Sequence, residues 1–223
     1  MRILAFITIL FASLNLFAGQ SGVFMVVIGK VSIERASGKV VIAKVSSVVY
    51  PGESVITEGG AKAKIVMTDR NIINVFPNTK LQIKKYTNES NDKNVDLKLD
   101  NGRIRTDVEQ KYDGKSSKFE IKTGVAVVGV RGTQLVVNYD SSKNSAEIVT
   151  LVGNVAVQRV GKLSSAMGFG DNGQLSVKTG EHVVIRSDSN ADKVETMKAK
   201  DFEDLKKDTT VAVEAKESVG GTN

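Results

Sequence analysis

Along residues 23–186 apolar side chains recur at every second position, in short runs broken by glycine and polar turns. VSIER at residues 31–35 sets Val31, Ile33 and Arg35 on one side, and KAKIVM at 62–67 groups Ala63, Ile65 and Met67. LQIKKY at 81–86, VDLKL at 95–99 and FEIKT at 119–123 keep the same period. That period belongs to half-buried strands, because successive side chains of an extended chain leave on opposite faces. Turn-forming runs separate them: PGE at Pro51, EGG at Glu58, FPNT at Phe76, DNG at Asp100, YDGKSS at Tyr112 and GDNG at Gly170. Valine is abundant and helix-period segments are absent, so this stretch is predicted to be all-β.

A short internal repeat refines the expectation. GKVSIER, from Gly29, matches GNVAVQR, from Gly153, and each is followed by a related turn, PGESV from Pro51 and TGEHV from Thr179. The first pair of glycines lies 124 residues apart, and the second pair, Gly52 and Gly180, lies 128 apart. A similar glycine-then-strand unit, NGRIRTDV, begins at Asn101. Glycine ahead of a strand permits a turn with positive φ, and the alternation behind it supplies one buried rung. Repeated units of this kind predict a stacked-strand roll or a β-solenoid-like module. The tail differs. Residues 187–207 carry Val194, Met197, Phe202 and Leu205 near helical spacing, with Asn190 or Asp192 as the cap. One C-terminal amphipathic helix packed on the β body is expected there, or a helix offered to a partner, followed by a disordered end over 208–223.

The N-terminus adds an address. Arg2 precedes an apolar run over residues 3–17, with small residues at Ala18 and Gly19, which is the layout of a secretory signal peptide over residues 1–18. No later run approaches spanning length, so the chain is expected to be exported, periplasmic or secreted, without a membrane span once the signal is removed. The net charge is +6, but basic and acidic residues are interleaved along strands and aromatics make up only 5%. A nucleic-acid surface needs a basic cluster with aromatic platforms, so no nucleic-acid partner is expected. With no cysteine in the chain, the fold is expected to stand on its core alone, and thiol catalysis and thiolate metal sites are excluded.

The run SKFEIKTGVAVVGVRGTQLVV at 117–137 resembles the signature of the FecR domain, a bacterial periplasmic β module. Thr123, Ala126, Val127, Gly129, Val130, Arg131, Gly132 and Thr133 fill the signature positions, and Gly124 stands where proline is usual. The segments at 51–83 and 97–108 and the closing strands TLVGNVAVQR and VKTGEHVVI extend the resemblance over residues 22–186. It implies an exported β module that binds or senses. The family's named member is a transmembrane regulator of iron-citrate uptake whose periplasmic part reads an outer-membrane receptor. A signal peptide in place of the cytoplasmic and membrane-spanning parts implies that direct sigma-factor control is not available to this chain.

Arg131 is the position in the signature whose role the sequence can argue. Phe119, Ile121, Val125, Val127, Leu135, Val137 and Tyr139 all stand at odd positions. If one register runs through, Arg131 and Thr133 face the same apolar interior. A charge removed from water must be paired, and Glu53 or Glu181 from the repeated turns are the candidate partners. A buried pair predicts a loss of roughly 3–5 kcal/mol for Arg131→Ala. The other reading makes Arg131 an exposed contact for a ligand or partner.

Nothing points to catalysis, and no cofactor or metal site is expected. His182 is the only histidine and reads as a strand residue, and no serine sits in a G-x-S-x-G setting. GFGDNG at 168–173 lacks the lysine and helix of a phosphate-binding loop and reads as a hairpin turn. The sequence therefore predicts a non-catalytic envelope module of the FecR type that acts through contacts with a receptor-like envelope protein. The alternative is a structural envelope protein that self-associates or binds cell-wall glycan.

Overall fold

The computed structural model describes residues 19–89, 92–109, 112, 117–160, 174–189 and 192–211. The expected signal peptide, the hairpin at 168–173 and residues 212–223 lie outside them. The first half contains β1 (Gly22–Ile28), β2 (Val31–Glu34), β3 (Val40–Ile42), β4 (Val48–Val49), β5 (Ser54–Thr57), β6 (Lys62–Met67), β7 (Ile72–Val75) and β8 (Thr79–Glu89). A long β9 (Asp92–Asp107) leads into β10 (Lys118–Lys122), β11 (Ala126–Val130), β12 (Gln134–Asp140), β13 (Ser145–Val152) and β14 (Asn154–Arg159). β15 (Gln174–Lys178), β16 (Glu181–Arg186) and β17 (Val194–Thr196) precede a helix, α1 (Ala199–Asp208).

The strands form two layers. One sheet runs β4–β1–β6–β7–β9–β12–β13–β16–β17. The other runs β3–β2–β5–β8–β9–β10–β11–β14–β15. β9 belongs to both, so the two layers are one continuous sheet that is not closed into a barrel. Inward side chains of both layers, among them Phe24, Ile65, Ile104 and Leu135 from the first and Ile33, Leu97, Val128 and Val157 from the second, make one apolar core. The all-β expectation holds, as does the single C-terminal helix.

β9 changes layer at Gly102. The preceding Asn101 pairs with β8 in the second sheet, and Gly102 pairs with Tyr139 in the first. Gly102 has φ +98°, and a Cβ there would stand 2.5 Å from the Thr79 Cα and 2.7 Å from the Asn78 carbonyl oxygen. Only glycine fits such a crossing. The chain then returns to the second sheet, where β10 lies parallel to the first part of β9, Lys118 opposite Asn94. This is the single parallel pairing among the described residues, and it makes one solenoid-like coil inside an antiparallel roll.

The repeat maps onto layer changes. Gly29 (φ +69°) carries the chain from β1 to β2, and Gly153 (φ +93°) carries it from β13 to β14, both from the first sheet to the second. The second repeated turn is not equivalent, because PGESV opens β5 in the second sheet and TGEHV opens β16 in the first.

The tail departs from the expected helix over 187–207. Val194 lies in β17, and α1 begins only at Ala199, with Lys198 at its N-cap and no side-chain cap. Asp192 is held by Arg159 instead of capping a helix, and Asn190 lies outside the described residues. Phe202 and Leu205, with Met197, rest on Val136, Val149 and Leu151 of the first sheet's outer face. The chain stays packed past the helix, since Thr209 and Val211 are buried, so residues 208–211 do not belong to a disordered end. Among the described residues no helix is long and apolar enough to cross a membrane.

Candidate functional site

The signature residues form a hairpin and a corner. In β10, Phe119 and Ile121 point inward. Thr123 then turns the chain: its hydroxyl accepts from the Ala126 N–H at 2.9 Å and the Val125 N–H at 3.3 Å. Gly124 lies against Tyr139, whose Oη would stand 2.1 Å from a Cβ at that position. In β11 Ala126, Val128 and Val130 are buried, while Val127 and Gly129 are on the outer side. Arg131 and Gly132 (φ +70°) make the exposed corner at which the chain leaves the second sheet for the first. Thr133 is buried again, and its carbonyl accepts from the Val108 N–H at 2.9 Å.

The structure corrects the inward placement of Arg131. The odd-position rule holds in β10 and in β12, where Leu135, Val137 and Tyr139 are buried. Between them the turn at 123–125 advances the phase by one residue, and the corner at 131–133 restores it. A single register across 119–139 therefore assigns both ends correctly and the middle wrongly, because side-chain parity does not survive a turn. Arg131 makes no hydrogen bond or ion pair among the described residues.

Neither proposed partner meets it. Glu53 is buried and takes Arg35, whose Nη1 lies 2.9 and 2.8 Å from the two carboxylate oxygens. The Tyr50 N–H adds a bond to Glu53 at 2.9 Å. Glu181 accepts from the Lys178 N–H at 2.8 Å at an exposed turn. The arginines that hold the fold include Arg35 and Arg159, the last residues of the two repeat units. They also include the buried Arg105, which pairs with Asp107 at 2.8 Å and donates to the Lys206 carbonyl and the Thr210 hydroxyl, each at 3.1 Å. Arg159 grips Asp192 through Nε at 3.0 Å and through Nη2, and its Nη1 donates to the Arg186 carbonyl at 2.6 Å. The Arg159 side chain is only 8% exposed and that of Asp192 is fully buried. The repeat was the available signal, since it places an arginine at the same step of two equivalent corners.

A second buried polar cluster secures the solenoid-like coil. Asp69 accepts from the Tyr86 hydroxyl at 2.6 Å, the Tyr112 hydroxyl at 2.5 Å and the Asn71 amide at 2.7 Å. Tyr112 lies on the crossover from β9 to β10 and meets Phe119 edge-on, ring centres 5.4 Å apart. Burial, then the nearby Asp69 carboxylate, pushes both tyrosine hydroxyls well above their ordinary value near 10. Beside the coil, Lys122 bridges to Asp96 at 2.8 Å and Glu120 at 3.1 Å, and those partners outweigh partial burial to raise its pKa.

Surface grooves lie on the outer faces of both sheets. One of about 300 Å³ runs along the second sheet's outer face beside Arg131, with Lys118, Glu120, Gly129, Asn154 and Gln174 in its lining. A larger one, about 710 Å³, lies on the first sheet between Lys62, Phe76, Arg103, Asp140 and Asp208. In it the Ser142 hydroxyl and Lys143 hold the Asp140 carboxyl down to about 2. His182 is a half-buried strand residue with Nδ1 3.3 Å from Glu147. Among the described residues no three His, Asp or Glu side chains converge as a metal site would require.

Known proteins place these features. Two crystal structures of a candidate anti-sigma factor from Parabacteroides distasonis ATCC 8503 share the fold. One matches with TM-score 0.51 at 14% identity and the other with 0.52 at 13%. Each match covers 66% of this chain and 61% of the neighbour, so the chain spans about three fifths of that protein's length. No curated protein matches the chain. The family model described as FecR protein matches residues 53–156, a span that runs from the buried Glu53 through β9, the hairpin and the Arg131 corner to the start of β14. Residues 53–156 of this chain are a FecR domain.

Proposed function

We propose that the chain is an exported, non-catalytic sensing or binding module that contacts another envelope protein through the Arg131 corner. The observation that carries this reading is Arg131 itself, an exposed cation without a partner among the described residues, beside the groove of about 300 Å³. Of the other signature residues, Thr123 makes the turn, Gly132 shares the corner, Ala126, Val130 and Thr133 are buried, and the outward-facing Gly129 borders the same groove. An unpaired guanidinium offers a planar fork for a carboxylate, so the surface suits an acidic group on the partner. The buried ionisable groups Asp69, Glu53 and Asp192 are all engaged by neighbours within the fold, which favours a scaffold over a reaction centre. The regulatory role given to the Parabacteroides neighbour supports placing the module in signalling, and the N-terminal signal pattern supports export.

Crosslinking in living cells followed by mass spectrometry tests the proposal. One stoichiometric protein partner is expected, lost on Arg131→Glu while the melting temperature stays the same. Recovery with purified wall sacculi, undiminished in the variant, would instead identify the structural envelope protein.

A further inference from the structure

Of the eight large apolar side chains exposed among the described residues, six lie between residues 25 and 50. Met25, Val40, Ile42 and Val45 are each more than half exposed, with Ile28 and Tyr50 less so. They gather at one end of the roll. β3 is the edge of the second sheet and turns Val40 and Ile42 outward, while Val41 packs on the core. The loop that follows crosses to β4, the edge of the first sheet, and lifts Val45 above the end. It is fastened to β1 beside Met25, because the Phe24 N–H donates to the Ser47 carbonyl at 2.9 Å and the Ser46 N–H to the Phe24 carbonyl at 2.8 Å.

The charges at this end are one-sided. The carboxylates described around it are each engaged: Glu34 by Lys80, Glu53 by Arg35, Glu58 by Lys30 and Asp100 by Lys98. Lys39 and Lys44, which flank β3, are exposed and make no ion pair among the described residues. Protruding apolar side chains ringed by free lysines, with an exposed tyrosine at the border, match the interface of an anionic bilayer. A second copy fits less well, since a two-fold contact would set these lysines against their own counterparts with no free carboxylate between them. The apolar run over residues 3–17 stops just short of β1, leaving at most ~15 Å of extended chain between them. Export would thus deliver this end to the membrane first.

We infer that the β1–β4 end of the roll docks on the surface of an anionic lipid bilayer, with Met25, Val40, Ile42 and Val45 in the headgroup region and Lys39 and Lys44 on lipid phosphates. The inference rests on the exported-module reading, and the test below separates the two, because vesicle docking is measured without export. The natural chain has no cysteine, so single-cysteine variants of the full chain, Ile42→Cys and Val152→Cys, can each carry a fluorophore. Vesicles of phosphatidylglycerol and phosphatidylcholine with brominated acyl chains should quench the label at position 42 at least twofold and leave that at 152 unchanged. Lys39→Glu combined with Lys44→Glu, or vesicles of phosphatidylcholine alone, should remove most of that quenching. Equal quenching at the two positions, or none at 42, overturns the inference. So does lipid-independent crosslinking between copies through position 42, which assigns the end to a second copy. Fractionation of cells reports export separately.

Discussion

Arg159 and Arg131 end neighbouring strands of the same sheet, β14 and β11, and meet opposite fates. Around Arg159 the returning chain brings the Asp192 carboxylate and the Arg186 carbonyl, and the guanidinium is buried among acceptors. After Arg131 a left-handed Gly132 takes the backbone away into the other sheet, and nothing described covers the side chain. A strand-end arginine is therefore structural or available according to what the next segment does. A cation in the interior is tolerable only where acceptors arrive with it. Arg131, within the family signature, stays available, and Arg159, which lies outside the matched span, is structural.

The contrast can be broken most directly at its buried side. Asp192→Ala strands the Arg159 charge and should cost roughly 3–5 kcal/mol, read as a large drop in the urea midpoint. A midpoint that hardly moved would mean that the burial around Arg159 does not hold in solution. Within the signature hairpin, Gly124→Ala should cost about 1–3 kcal/mol through its clash with the Tyr139 hydroxyl. Tyr139→Phe in the same chain should recover part of the loss. Recovery stays partial because the ring carbon bearing the hydroxyl would still lie 2.9 Å from the new Cβ. An equal loss with and without that hydroxyl would show that the backbone, and not the contact, requires glycine.

The coil latch predicts a pH dependence. Tyr86 and Tyr112 hold their protons more tightly when folded than in the unfolded chain, where the ordinary value near 10 applies. Their contribution is whole below that value and is lost as pH rises beyond it, at up to ~1.4 kcal/mol per pH unit for each group. Unfolding free energies measured from pH 8 to 12 should fall less steeply in Tyr86→Phe than in the natural chain, and parallel curves would remove the latch from the account. The smallest effect belongs to the exposed arginine. Arg131→Ala should change stability by no more than about 0.5 kcal/mol. A loss of several kcal/mol would restore the buried reading.

The strand alternation in FEIKT and KAKIVM was legible because burial on one face of a strand imposes a period of two within a handful of residues. Glycines such as Gly29 and Gly153 were legible for an equally local reason, a backbone with positive φ. The helix was overextended because Val194, Met197, Phe202 and Leu205 do pack inward, but Val194 does so from a strand against β16. An apolar spacing records which residues are covered and leaves open the element that covers them.

What the sequence determined by itself was therefore local: the all-β body, its turns, the closing helix and the family signature. The tertiary structure decided the facing of Arg131, the choice of Arg35 for Glu53 and of Arg159 for Asp192, and the layer in which each repeat lands. Parity is reset at every turn, and a salt bridge depends on which distant strands the roll sets side by side. Neither quantity is carried by any short stretch of chain.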